Sequence, residues 1–212
     1  MASAPVRALR SSPVRTVSAP KHDVILDAAR RVFLREGYSA SMDLVAAEAG
    51  VSKQTVYNHF GSKEELFRAI VDHVSGELLD VLVEGDARAD PAATLEAIAR
   101  RFLNLLLKPS YLALHRMLVA EAPRFPDLAR EIYLGGPARG VSELAHYLAE
   151  ESRKGTLAVA DPALAAEQFF GALCGHLQLR TLLSPRDAPG APEIERAIAH
   201  AVRGFLRAQA AR

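Results

Sequence analysis

The sequence predicts an all-α protein, a small three-helix module at the N-terminal end joined by a long helix to a larger helical bundle. Three observations carry this reading. Apolar residues recur at helical spacing almost throughout from residue 22 onward. Gly, Ser, Asp and Pro mark the ends of most of those runs, as helix caps do. The one candidate strand, TLAVA at 156–160, is too short to build a sheet.

Ile25, Ala28, Ala29, Val32 and Phe33 form the apolar stripe of a first helix, with Asp27, Arg30, Arg31 and Arg35 on its other face and Gly37 at its end. Ser41 is a good N-cap for a short second helix with Leu44, Val45 and Ala47 inward, closed by Gly50. Ser52 caps a third. Ser62, with Glu65 three residues on, reads as a capping box opening a fourth helix that runs to about Glu84, before Gly85. Asp90-Pro91 opens a helix striped by Leu95, Ile98, Ala99, Phe102, Leu103 and Leu106. Pro109 starts the next, Pro123 and Pro126 bracket a turn, and Gly135-Gly136-Pro137 breaks or kinks the chain after it. A long helix then runs to about Lys154, another opens at Asp161-Pro162, and a loop at 185–192 precedes the last, about 193–209.

Composition excludes several classes. The chain of 212 residues has a net charge of only +1, so global charge points to no partner. Its single cysteine, Cys174, rules out an intramolecular disulfide and fits a reducing cytosol. No apolar run reaches the roughly 18 residues that span a bilayer, and the basic N-terminus lacks the apolar stretch of a signal peptide. The expectation is a cytoplasmic protein. Residues 1–20 carry Arg7, Arg10 and Arg15 among Pro, Ser and Ala with no acid; they read as a disordered basic arm, with contact to DNA left open. The histidines show no metal spacing, no GxSxG elbow or phosphate loop is present, and no cofactor is implied. The chain does not read as an enzyme.

The third helix raises the question of function. VSKQTVYNHF leaves only Val51, Val56 and Phe60 for a core and spends Lys53, Gln54, Thr55, Tyr57, Asn58 and His59 on hydrogen-bonding side chains. With the second helix, over about 41–60, it makes a helix-turn-helix, whose second helix enters a DNA major groove about 12 Å wide. Lys53, Gln54 and Thr55 stand at the helix start, where base edges lie: Lys suits guanine, Gln adenine, and the Thr methyl thymine. Tyr57, Asn58, His59 and, beyond, Lys63 suit phosphate oxygens, which set position without reading sequence. A polar helix of an unrelated protein is the plainer alternative, but three caps, two Gly breaks and the spacing agree on the motif.

At these residues the chain resembles the TetR family of transcriptional regulators. The likeness covers about residues 22–70 without a gap, through Ala28-Ala29, Phe33, Gly37-Tyr38, Ala46, Ala49-Gly50-Val51-Ser52, Thr55, Val56-Tyr57, His59-Phe60 and Lys63-Glu64-Glu65-Leu66. It implies a homodimer on a palindromic operator, a repressor until a small molecule binds, with Ser41, Met42 and Ser52 also near double-stranded DNA. The resemblance divides the chain into the arm at 1–20, a DNA-binding domain at 21–68, and an effector-binding and dimerisation domain at 69–212. The later half is similar to the AefR-like group of this family. Repressor and activator stay open, as does a binding protein that kept the fold and lost its operator.

Two surfaces are expected in the later half. Gly171 and Gly175 let another helix approach closely, and the last helix carries Ile198, Ala201, Val202 and Phe205 in an apolar stripe, so the two helices are expected to form a four-helix bundle with a second subunit. Polar or aromatic residues among apolar ones suggest an effector pocket. They are Phe102, Tyr111, His115, Met117 and Tyr133. Tyr147, Phe169, Cys174 and His176 complete the set. Arg100, Arg101, Lys108 and Arg116 are spaced for the outer face, which points to an apolar or weakly polar effector. A redox role for Cys174 is a lesser alternative.

Overall fold

A computed structural model describes residues 20–84 and 90–210. The basic arm before Pro20, and Gly85, lie outside the described residues. The rest is helical: α1 (Lys21–Glu36), α2 (Met42–Ala49), α3 (Lys53–Phe60), α4 (Lys63–Glu84), α5 (Pro91–Leu106), α6 (Pro109–Glu121), α7 (Pro126–Gly135), α8 (Pro137–Lys154), α9 (Pro162–Leu183) and α10 (Ala191–Ala208). Among the described residues TLAVA forms no strand, only a single bridge from Leu157 to Ala210, with Ala158 N–H donating to the Gln209 carbonyl at 2.8 Å. No described helix is long and apolar enough to cross a membrane.

Local chemistry sets the helix ends. Asp161 accepts a hydrogen bond from Leu164 N–H at 3.0 Å and Ser62 one from Glu65 N–H at 3.1 Å. The box expected at Ser62 is half formed. Ser62 N–H goes to the Phe60 carbonyl, and the Glu65 carboxylate turns to Arg68 at 2.6 Å, where it finds a charge instead of an amide. Gly136 separates α7 from α8, because Pro137 has no N–H with which to continue the helix.

Among the described residues, two apolar clusters hold the helices together. The first packs Ile25, Ala29, Val32, Phe33, Val45 and Val56 around Leu66, Phe67 and Ile70. It does not stop at the boundary expected at residue 68, since Leu114 of α6 and Leu128 and Ile132 of α7 belong to it. Tyr38 marks the seam: its ring meets Phe67 edge-on at 5.0 Å and Phe125, between α6 and α7, at 4.7 Å. Arg68 of α4 bonds Glu131 of α7 across the same seam. The second cluster is the bundle of α5, α8, α9 and α10 around Leu95, Leu144, Leu148, Phe169 and Ile198.

In α2 the inward face is Met42, Val45 and Ala46, while Leu44 and Ala47, expected inside, are exposed. An eight-residue helix held by one stripe can be rotated by its caps and neighbours, and the apolar residues alone do not fix the phase.

Candidate nucleic-acid interface and effector site

The turn between α2 and α3 is built by caps. Gly50 closes α2 in the left-handed conformation at φ 65°, which a side chain adopts only with strain. Ser41 Oγ accepts from Leu44 N–H at 3.2 Å, and Ser52 Oγ from Thr55 N–H at 3.1 Å. These bonds satisfy donors that helix starts leave unpaired, and they set the angle at which α3 leaves the turn. Val56, fully buried, and Phe60 anchor α3. Its opposite face is open, with Lys53, Gln54, Tyr57, Asn58 and His59 all exposed and Thr55 half-buried beside Ser52.

Those side chains are already oriented. Gln54 Nε2 donates to Asn58 Oδ1 at 2.9 Å, one turn along the helix. The Lys53 ammonium lies 2.8 Å from an Asp43 carboxylate oxygen of α2, which raises its pKa and ties the two helices at the exposed end. The His59 ring lies 6.4 Å from that of His22.

Two residues expected at this face are placed elsewhere. Met42 is buried in the N-terminal core, because the first turn of α2 points it under α1 and not outward. Lys63 folds back so that its ammonium sits 4.7 Å from the centre of the Tyr38 ring and 5.9 Å from that of Phe33. Burial there holds Lys63 below the usual lysine value, although Glu64 and Glu121 pull the other way.

The expected effector residues separate into groups. Phe102 of α5 packs on Phe170 of α9 at 4.7 Å. Tyr111 and His115, one turn apart on α6, stack at 6.2 Å. Cys174, one turn beyond Phe170, lies within electrostatic reach of the Tyr111 phenol. Burial first, and Cys174 second, raise that phenol; burial and the Arg116 cation hold His115 below its usual value. Phe102, Tyr111 and Cys174 thus pack on the bundle core from α5, α6 and α9, with His115 stacked on Tyr111.

The other expected effector residues are dispersed. Met117 packs against the N-terminal cluster, because α6 faces both cores. Tyr133 is 58 % exposed on α7 and His176 is exposed on α9, each on the face its helix turns away from the core. Phe169 is filled in on all sides by the bundle. Tyr147 packs on the bundle core from α8, where burial raises its phenol.

The expected dimer stripe is corrected as well. Ile198 and Val202 are almost wholly buried against α5 and α9, and Ala201 and Phe205 pack on the same core, Phe205 meeting Phe169 at 5.2 Å. The most apolar stripe of α10 is used inside the subunit. Gly171 and Gly175 are exposed, and a Cβ on either would meet nothing within 4 Å. Leu164, Leu179 and Leu183 of α9 are exposed too. Gly175 also breaks α9, with φ 20° and ψ −121°, immediately after Cys174.

Arg116 is exposed, as its spacing suggests, and it makes a contact that the spacing does not show. Its guanidinium donates to the Leu182 carbonyl at 2.9 Å and the Thr181 carbonyl at 3.0 Å. It thereby caps the C-terminal end of α9 from α6. No local signal announces this contact, since the two partners lie more than sixty residues away.

A helix-turn-helix with an open polar second helix, packed through a shared core onto a helical bundle, is the arrangement of a DNA-binding regulator. The chain belongs to the TetR family of bacterial regulatory proteins: residues 25–70 match the family's N-terminal domain, and residues 93–211 match the C-terminal domain of AefR-like transcriptional repressors. It is a TetR-family transcriptional regulator. A crystal structure of a TetR-family regulator from Mesorhizobium loti superposes with TM-score 0.80 at 31% identity, covering 92% of this chain and 100% of that one. The flavonoid-responsive regulator FrrA superposes with TM-score 0.73 at 33% identity over 91% and 98% of the two chains. The transcriptional regulatory protein RaaS of Mycobacterium tuberculosis is 29% identical over 144 residues, 68% of this chain and 63% of RaaS. The chain therefore spans less than two thirds of that relative.

Proposed function

We propose that this regulator is a cytoplasmic homodimeric repressor that binds a palindromic operator and leaves it when a small, apolar or weakly polar molecule enters the later domain. The open face of α3 carries the reading: Gln54 and Lys53 stand at its first turn, Tyr57, Asn58 and His59 follow, and only Val56 and Phe60 are spent on the core. Gln54, Lys53 and Thr55 read bases. Ser41, Ser52, Tyr57, Asn58 and His59 hold phosphates, and Lys63 contributes after leaving its aromatic seat. The domains are the arm at 1–20, the DNA-binding unit at 21–68 and the effector and dimer unit at 69–212.

The AefR-like repressor match supports repression, and FrrA's response to flavonoids supports a small-molecule trigger. Two-fold pairing is supported by the exposed Gly171, Gly175, Leu179 and Leu183 of α9, with the outer side of α10 in place of its buried stripe. The seam at Tyr38, Phe67 and Phe125 gives the later domain a rigid hold on the reading head, so a ligand that favours one packing of α6 and α7 shifts the spacing of two such heads.

Fluorescence anisotropy on the DNA upstream of the protein's own gene, against scrambled DNA at two salt concentrations, tests this. Preference for the upstream fragment that survives moderate salt is expected, and Gln54→Ala is expected to relax one base step at a cost of about 1–3 kcal/mol. If binding is equal on both fragments and random-sequence selection enriches no palindrome, the chain has kept the fold without an operator.

A further inference from the structure

We propose that Asn58 is a positioning residue for Gln54: by taking one N–H of the Gln54 amide it leaves that amide one donor and one acceptor for the groove, which commits it to adenine and excludes guanine at one base step. The proposal rests on the operator-binding function proposed for this regulator and names the residue that sets its base preference.

The geometry is a clamp one helical turn long. Gln54 Nε2 donates to Asn58 Oδ1 at 2.9 Å, and both side chains are exposed on the face of α3 that the core leaves open. Residues four apart stand one above the other on a helix, and a helical side chain leans toward the N-terminal end, so Asn58 reaches back over Gln54. The bond fixes which way round the Gln54 amide lies. Nε2 stands on the Asn58 side with its second N–H free, and Oε1 has no partner among the described residues. The neighbouring side chains of the first turn are already engaged. The Lys53 ammonium lies 2.8 Å from Asp43 of α2, and Thr55 Oγ1 lies 2.8 Å from Ser52 Oγ.

Adenine shows the major groove an acceptor at N7 and a donor at N6, whereas guanine shows two acceptors, N7 and O6. A free glutamine amide has two N–H donors and can turn its nitrogen toward either purine. With one N–H spent on Asn58, one donor and one acceptor remain, the complement of adenine. Guanine would set its O6 against Gln54 Oε1, acceptor against acceptor, and a groove emptied of water leaves neither with a partner. The clamp is weak while both amides face water and strengthens when DNA withdraws that water. Asn58 Nδ2 stays free to donate to a phosphate, so one side chain ties the reading amide to the backbone contact that sets its register.

Random-sequence selection with the full chain supplies the preferred site, and Gln54→Ala identifies the base step that Gln54 reads. Fluorescence anisotropy then compares that site with copies carrying each other base pair at the step, for the parent, Asn58→Ala and Asn58→Asp. The parent is expected to favour adenine over guanine there by about tenfold or more. Asn58→Ala is expected to bring the ratio below about threefold by admitting guanine, with the melting temperature unchanged because the side chain is exposed. Asn58→Asp keeps the acceptor for Gln54 Nε2, so the ratio is expected to survive while an anion beside the phosphates weakens every complex. An Asn58 that only held a phosphate would, on replacement by alanine, weaken all sites alike and leave the ratio intact; that result overturns the proposal. So does loss of the ratio in the aspartate variant, a Gln54→Ala variant with the parent's base profile, or a parent that does not favour adenine at the step. A preferred site with an unchanged ratio overturns the positioning role alone and leaves the operator function standing. A parent that enriches no sequence overturns both.

Discussion

Replacing Arg116 with methionine tests a contact that no local sequence signal announces. The side chain keeps its apolar stem and loses the guanidinium that donates to Leu182 O at 2.9 Å and Thr181 O at 3.0 Å. Those carbonyls belong to the last turn of α9, which has no helical N–H left to offer them. The Leu182 bond is exposed and the Thr181 bond part-buried. Two such bonds at about 1 kcal/mol each, with a smaller gain from a cation at a helix C-terminus, give about 2 kcal/mol. For a chain of this length that lowers the melting temperature by about 4–8 °C. Urea unfolding at a fixed subunit concentration, followed by helical circular dichroism, reads the loss. Lysine at this position restores about half, since a point charge on a flexible stem cannot span both carbonyls as the planar fork does. A methionine variant within about 0.5 kcal/mol of the parent, or a lysine variant equal to it, would show that α9 needs no cap from α6.

The DNA-binding face and the Tyr38 seam carry further predictions. Asp43→Asn frees Lys53 from its 2.8 Å partner and removes an anion from the reading face. Operator affinity should rise about three- to tenfold at low salt, with a salt slope steeper by about one phosphate; a weaker complex would mean that Asp43 aims Lys53 productively. Ser52→Ala removes the acceptor for Thr55 N–H at 3.1 Å and should cost about 1 kcal/mol in urea unfolding, with loss of operator affinity accompanying the loosened start of α3. Tyr38→Phe should flatten the alkaline limb of stability. Burial, with Glu64 next, pushes the Tyr38 phenol up to about 12, while an unfolded tyrosine titrates near about 10. The folded state then holds more protons between those values, so the stability is present below about pH 10 and is lost as pH rises, by up to ~1.4 kcal/mol per pH unit. Identical limbs for parent and variant in equilibrium unfolding would show that another group sets the slope.

The N-terminal module is legible in the sequence because its signals are local. Ser41, Gly50 and Ser52 act on residues three or four away, so caps, turn and the exposed row of α3 are written within twenty residues. The same locality explains where expectation and structure part. Position in a motif puts Met42 and Lys63 on the DNA-facing side, but Met42 is drawn into the N-terminal core and the Lys63 ammonium onto the rings of Phe33 and Tyr38, which lie more than twenty residues before it.

In the bundle, periodicity identifies the stripes but not what covers them. Ile198 and Val202 read equally well as a subunit interface or as core, and only the packing of α10 on α5 and α9 decides for the core. The effector residues divide for the same reason. Phe102, Tyr111 and Cys174 pack on the bundle core and His115 stacks on Tyr111, while Tyr133 and His176, of similar chemistry, are turned to solvent.

By itself the sequence determined that this is an all-helical regulator with a helix-turn-helix, where most helices begin and end, and which residues of α3 are spent on something other than a core. Only the tertiary structure decided that the N-terminal core runs on into α6 and α7, that Arg116 closes α9, and which apolar stripe is interior. Caps and turns are short-range energies that a few neighbouring residues settle. Burial is a property of a face, and a face acquires its partner only when distant helices pack against it.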